Sequence, residues 1–195
     1  MDFYVHESSY VSEKAKVGAG TRIWQFCTLM DDVEVGCDCN IGQNAFIEKG
    51  VILGNNVTVK NNVALYTGVC CEDDVFLGPN CVFTNVRFPR SFVSRKNQFE
   101  NTIIKKGATI GANATIRCGC TVGEFAMIGA GAVITKDVKA HSLVVGNPAR
   151  EIGYVCICGE KLHRTGSNFF CKICGKRYIK KKGKISYFSR DNHVC

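Results

Sequence analysis

Ile41-Gly42-Gln43-Asn44-Ala45-Phe46-Ile47-Glu48-Lys49-Gly50-Val51-Ile52-Leu53-Gly54-Asn55-Asn56-Val57-Thr58-Val59 obeys one rule every six residues. A large aliphatic residue stands at 41, 47, 53 and 59, and a small or β-branched one stands four places later, at 45, 51 and 57. The rule reaches back to Val5 and forward to Phe83, and it resumes from Ile104 to Ile134, with Ala108, Ala114, Cys120, Ala126, Ala132 and Val138 as small partners. A helix repeats near 3.6 residues and a flat strand at 2, so a sustained period of six fits neither. It fits a coil with flat faces, each hexad one short strand and one turn, in which coils stack and satisfy one another's backbone. Gly, Asn and Asp between the apolar positions supply the left-handed backbone of tight corners. The fold class is all-β, a parallel β-helix of hexapeptide repeats.

The period breaks once. Ile104 follows Phe83 by 21 positions where one hexad needs six, so a loop of about 84–101 projects from the column. It carries Arg87, Arg90, Arg95 and Lys96 against a single anion, Glu100, and its aromatic residues predict that it packs down. Irregular loops on rigid scaffolds are where binding residues are expected.

Charge divides the chain again. Residues 1–155 hold 15 basic and 15 acidic side chains, while 156–195 hold 10 Lys or Arg against Glu160 and Asp191, so the net +8 resides in the tail. The chain therefore divides into 1–150, the hexapeptide-repeat domain, and 151–195, a basic Cys-rich module. Cys156, Cys158, Cys171 and Cys174 form two knuckles with twelve residues between them, a metal-ligand spacing that predicts a zinc ribbon holding structural Zn2+, although the first pair is one residue closer than the usual C-x-x-C and unligated thiols are the alternative. His193 and Cys195 are spare ligands. The Lys180–Lys184 run allows nucleic-acid binding, although a short basic run is more often simply solvated. The other cysteines fall largely on inward positions, where free Cys acts as a small hydrophobe. No run of about 20 apolar residues is present to span a membrane, and Met1-Asp2-Phe3-Tyr4-Val5-His6 does not read as an export signal, so a cytoplasmic protein is expected.

Gly20-Thr21-Arg22-Ile23-Trp24, Lys60-Asn61-Asn62-Val63, Glu72-Asp73-Asp74-Val75-Phe76-Leu77-Gly78-Pro79, Phe83-Thr84-Asn85-Val86, Arg95-Lys96 and Gly146-Asn147-Pro148-Ala149-Arg150 together resemble the bacterial nucleotide-sugar N-acetyltransferases of the hexapeptide-repeat class. The resemblance implies a left-handed winding, a homotrimer, acetyl-CoA as co-substrate and a nucleotide-linked amino sugar as acceptor, made for surface polysaccharide. Within that group the chain looks most like enzymes that acetylate the 3-amino group of UDP-2-acetamido-3-amino-2,3-dideoxy-D-glucuronate. A dTDP-3-amino-3,6-dideoxyhexose is the alternative acceptor, and a non-catalytic trimeric scaffold is an alternative of another class. The resemblance places Asn85 at the reacting amine and Arg95 at the sugar carboxylate. Lys96 and Asn62 are further substrate-binding candidates; Glu72 and Asp73, with Asp74, form an acidic cluster that either orients nucleotide hydroxyls or accepts a proton, or is simply a solvated corner. Lys136 and Arg150, late in the stack, are candidates for the coenzyme A phosphates. Gln25 departs from the family pattern, which has His after the Ile-Trp pair.

The four histidines stand at 6, 141, 163 and 193, so the coils from Val11 to Val138 contain none. Hydroxyl acetylation needs a base to ionise an alcohol, whereas an uncharged sugar amine is already nucleophilic. The pattern points to N- rather than O-acetylation.

Overall fold

The computed structural model describes residues 2–181 and 183–188; Lys182, His193 and Cys195 lie outside the described residues. Strands run from β1 (Tyr4–Val5) to β26 (Lys184–Tyr187), and most are two residues long. They build three parallel faces of a prism, visited in strict rotation. The first face holds nine strands, from β1 to β22 (Arg150–Tyr154), the second seven and the third six, while β23 (His163–Thr165) to β26 form a separate antiparallel sheet. Each strand pairs with the one three hexads away: Thr58 of β10 (Thr58–Val59) lies beside Asn40 below and Phe76 above, each 18 positions distant.

Large aliphatic positions fill the axis. Ile23, Leu29, Ile41, Ile47, Leu65, Leu77, Ile110 and Ile116 are fully buried. Val5, Val11 and Val17 of the first coil are only partly buried, because among the described residues no coil lies beneath them. The small inward positions also place a donor. Thr21 Oγ1 donates to Gly36 O at 2.8 Å, Cys27 Sγ to Gly42 O at 3.1 Å and Cys39 Sγ to Gly54 O at 3.1 Å, always fifteen residues on. The thiols thus substitute for a hydroxyl in bonding the next coil, a structural role that matches their inward register.

The corners need positive φ. One column stacks Phe26, Asn44, Asn62, Asn80, Asn113 and Gly131, all between 57° and 68°. Asn is the L-residue best suited to that conformation, and Asn44 Nδ2 also donates to Asn62 Oδ1 at 3.0 Å. Phe26, Phe125 and His141 depart from the expected Gly, Asn and Asp. At Phe125 the reason is local: its ring occupies the space that a side chain on Gly107 would fill, and it stacks on His141 at 5.4 Å.

The insertion leaves the register intact. Val82 of β14 (Val82–Phe83) pairs with Thr115, 33 positions on, so the extra residues loop out at one corner and the next coil resumes in phase. At the far end β21 (Ser142–Val145) is followed by the antiparallel β22, which carries the first face as far as Tyr154. Among the described residues no helix is long and apolar enough to cross a membrane.

Candidate functional site

The loop is tied at its neck rather than packed along its length. Glu100 N–H donates to Asn85 O at 3.0 Å, and Arg87 grips the Glu100 carboxylate through Nε at 2.8 Å and Nη2 at 2.6 Å. That pairing holds the Glu100 carboxyl below the usual carboxylate range. The expectation that the aromatic residues pack the loop down is not met, since Phe88 and Phe92 are 72% and 85% exposed. The bidentate pair does that work instead, closing the loop over Gly119, where a side chain would strike both Arg87 and Glu100. Asn85 emerges half-buried beside the clasp. Arg95 Nη1 donates to Gln98 Oε1 at 3.0 Å, while its Nε is buried with no partner among the described residues. Lys96 is exposed.

Glu72 and Asp73 lie at another corner, between the third and first faces. Glu72 is committed: Lys105 Nζ donates to Oε1 at 2.7 Å and Lys106 N–H to Oε2 at 2.9 Å. The Lys105 hydrogen bond, then the Lys106 N–H, pulls its carboxyl below the ordinary value, so it remains an anion and a poor proton acceptor. Asp73 Oδ1 accepts Asn55 N–H at 2.8 Å. Asn62 lies at the corner between the first and second faces. The sequence-expected substrate residues therefore occupy three different corners of one prism, and a single chain brings together only those of the loop.

Lys136 and Arg150, by contrast, share one cleft. Both line a cleft of about 390 Å³ at the end of the column, with Asp137, Lys139, Ser142 and Glu151. Its floor is apolar, from Ile134, Val138 and Val144. Three cations over an apolar floor suit a ligand with phosphates and an uncharged arm.

His141 is not available as a base. It is buried, its Nδ1 lies 3.0 Å from Val155 O, and its ring is held between Phe125 and the edge of Tyr178. Burial pushes its pKa down. No signal in the sequence marked it as a contact between column and tail.

The four tail cysteines converge, with all four sulfurs within 4.8 Å of one another. Cys156 and Cys174 are 3.4 Å apart and Cys158 and Cys171 3.5 Å. A tetrahedral ion bound at ~2.3 Å places sulfurs at roughly 3.7 Å, so the set fits. Cys174 N–H points at Cys171 Sγ at 3.5 Å, and Gly159 and Gly175 take positive φ just after each knuckle, as tight metal turns require. Sequence reasoning missed Tyr178, fully buried with its hydroxyl 3.1 Å from Cys156 Sγ.

Comparison with known proteins agrees with the hexapeptide-repeat column. The model for bacterial transferase hexapeptide (six repeats) matches residues 101–136, and that for the hexapeptide repeat of succinyl-transferase matches 32–67. The chain is 49% identical over 183 residues to dTDP-3-amino-3,6-dideoxy-alpha-D-galactopyranose 3-N-acetyltransferase of Aneurinibacillus thermoaerophilus, covering 94% of each protein. It is 27% identical to the bifunctional protein GlmU of Thermotoga sp. (strain RQ2) across 75% of this chain, but spans only 38% of that protein. The solved acetyltransferase domain of PglB from Neisseria gonorrhoeae, in complex with acetyl coenzyme A, is similar in fold. It superimposes with a TM-score of 0.52 at 24% identity, covering 77% of this chain and 58% of the other.

Proposed function

Because the chain belongs to the hexapeptide-repeat sugar N-acetyltransferase family and is an acetyltransferase, we propose that it transfers acetyl from acetyl-CoA to the 3-amino group of a dTDP-3-amino-3,6-dideoxyhexose. The observation that carries this acceptor is the 49% identity, over nearly the whole of both chains, to an enzyme named for such a sugar. It displaces the UDP-glucuronate derivative as first choice. That second reading is supported by the partnerless Nε of Arg95, a group suited to a carboxylate.

The chemistry follows from what the chain holds. The uncharged sugar amine attacks the thioester carbonyl, a C–N bond forms, the C–S bond breaks, and the departing coenzyme A sulfur takes the amine's proton. No general base is required, in keeping with coils that lack histidine and with Glu72 locked to Lys105. Asn85 orients the amine as a hydrogen-bond acceptor, and proximity provides most of the acceleration. Lys136 and Arg150 hold the coenzyme A phosphates in the terminal cleft. Lys96 binds the nucleotide sugar from the loop, Arg95 beside it takes a carboxylate where the sugar carries one, and Asn62, Glu72 and Asp73 are contributed from other corners. Their separation on one prism favours sites shared between prisms packed side by side as a trimer, and the exposed Phe88 and Phe92 then meet a neighbouring copy. The tail's four thiolates hold zinc in a structural role, since all four positions are filled by protein.

The test is thiol release from acetyl-CoA with a panel of dTDP- and UDP-linked amino sugars. Turnover with 3-amino-3,6-dideoxyhexoses at least tenfold above the uronate is the expected result. Inertness toward every amine-bearing sugar nucleotide overturns the reading.

A further inference from the structure

Column and tail share a strand. β22 supplies Arg150 and Glu151 to the cleft wall and runs directly through Val155 into Cys156, the first thiol of the cluster. Glu151 is held from two sides: Ser142 Oγ donates to Oε2 at 2.6 Å and Tyr154 OH to Oε1 at 2.8 Å. The Tyr154 hydroxyl has one proton, committed to Glu151, so its oxygen accepts from Lys180 Nζ at 2.5 Å. Lys180 Nζ also lies 4.9 Å from the centre of the Tyr154 ring.

Lys180 belongs to β25 (Arg177–Lys181), two residues after Tyr178, so both side chains leave the same face of that strand. Tyr178 OH stands 3.1 Å from Cys156 Sγ and accepts Ile157 N–H at 3.0 Å. One strand face therefore touches the thiol cluster at Tyr178 and the cleft wall through Lys180. Among the described residues, the buried core of the tail beyond the cysteines is Tyr154, Leu162, Tyr178 and Ile185 with Phe169 packed against it, too little to order a segment of this length by apolar burial alone.

We propose that a metal ion in the four-cysteine cluster sets the affinity of the terminal cleft for the acetyl donor, with Lys180 and Tyr154 as positioning residues that relay the effect to Glu151. This rests on reading the cleft as the coenzyme A site. With the ion bound, β25 is fixed, Lys180 holds Tyr154, and Tyr154 with Ser142 holds the Glu151 carboxylate against the wall. Without the ion, four sulfurs crowd together with no cation between them, and the small sheet loosens. Glu151 then loses its tyrosine donor and turns to the cations beside it, Lys136, Lys139 and Arg150, where it competes with the donor's phosphates.

Calorimetric titration of the metal-loaded full chain with coenzyme A tests this, comparing wild type with Tyr154→Phe, Lys180→Met, Lys136→Ala and chelator-stripped protein. Tyr154→Phe and Lys180→Met are expected to keep stoichiometric metal by elemental analysis yet bind coenzyme A about five- to tenfold more weakly, the size of one charge-assisted hydrogen bond. Stripped protein weakens at least as much and recovers on adding zinc, while affinity for the sugar nucleotide moves less than about twofold throughout. Unchanged coenzyme A affinity in both relay variants, with Lys136→Ala weakened, overturns the coupling and spares the cleft. Unchanged affinity in Lys136→Ala overturns the cleft reading and the coupling with it. A chain that holds no metal after purification with zinc also overturns the proposal.

Discussion

Arg87 and Glu100, thirteen residues apart in sequence, close the inserted loop with two parallel hydrogen bonds of 2.8 and 2.6 Å. The pair is the latch of an otherwise solvent-facing segment. Both partners are partly exposed, so its effect on global stability is small; its effect is on where Asn85 and Arg95 sit.

Arg87→Ala is therefore expected to leave the melting temperature within about 2 °C and to raise KM for the sugar nucleotide by roughly fivefold or more. Glu100 has a depressed carboxyl pKa, so the latch is intact above the ordinary carboxylate range and opens only as pH falls below it. KM for the sugar nucleotide measured from pH 8 down to 5 should show no step from this pair.

Gly119→Ala attacks the same place from beneath. Gly119 sits at φ +79°, and its added methyl would collide with the Glu100 carboxylate. A loss of about 1–3 kcal/mol in chemical denaturation is expected, together with the KM rise of Arg87→Ala. A stability equal to wild type would show that the latch does not rest on this corner.

Glu72→Gln separates positioning from base chemistry. A catalytic base would cost at least about a hundredfold in kcat. Because Lys105 and Lys106 N–H hold the carboxylate ionised, kcat is expected to change less than about threefold, and the pH profile to keep no limb from this group above pH 5. Steady-state kinetics across pH 5–9 decides between them.

Asn85→Ala is expected to lower kcat by about ten- to a hundredfold through lost orientation of the amine. Arg95→Ala distinguishes acceptors: KM stays within about twofold for a 3-amino-3,6-dideoxyhexose and rises about tenfold for a uronate, which alone needs the guanidinium.

The thiols give a check independent of activity. Burial pushes the Cys81 thiol up to about 12 and raises Cys71 further, whereas Cys37 is exposed. Titration of the native protein with a thiol reagent should lose one fast-reacting group in Cys37→Ser and none in Cys81→Ser.

The order of residues by itself determined the column, because a period of six with a large and a small inward position leaves the backbone one compact way to bury both. It also placed the break at 84–101 and grouped the four tail cysteines, since insertions and ligand spacings are local properties of a chain. What it left open depended on groups far apart in sequence. Arg87 finds Glu100, Lys105 neutralises Glu72, and Lys136 shares a cleft with Arg150 only after the coils are stacked, and the exposed Phe88 and Phe92 ran against expectation for the same reason. Tyr178 and Lys180 lie in a basic stretch with no periodicity, so the sequence marks Lys180 only as part of a basic run and gives no sign that either residue reaches a sulfur or the cleft wall. Only antiparallel pairing in the tail turns one to a sulfur and the other to the cleft wall, because residues two apart on a strand share a face while their partners come from elsewhere.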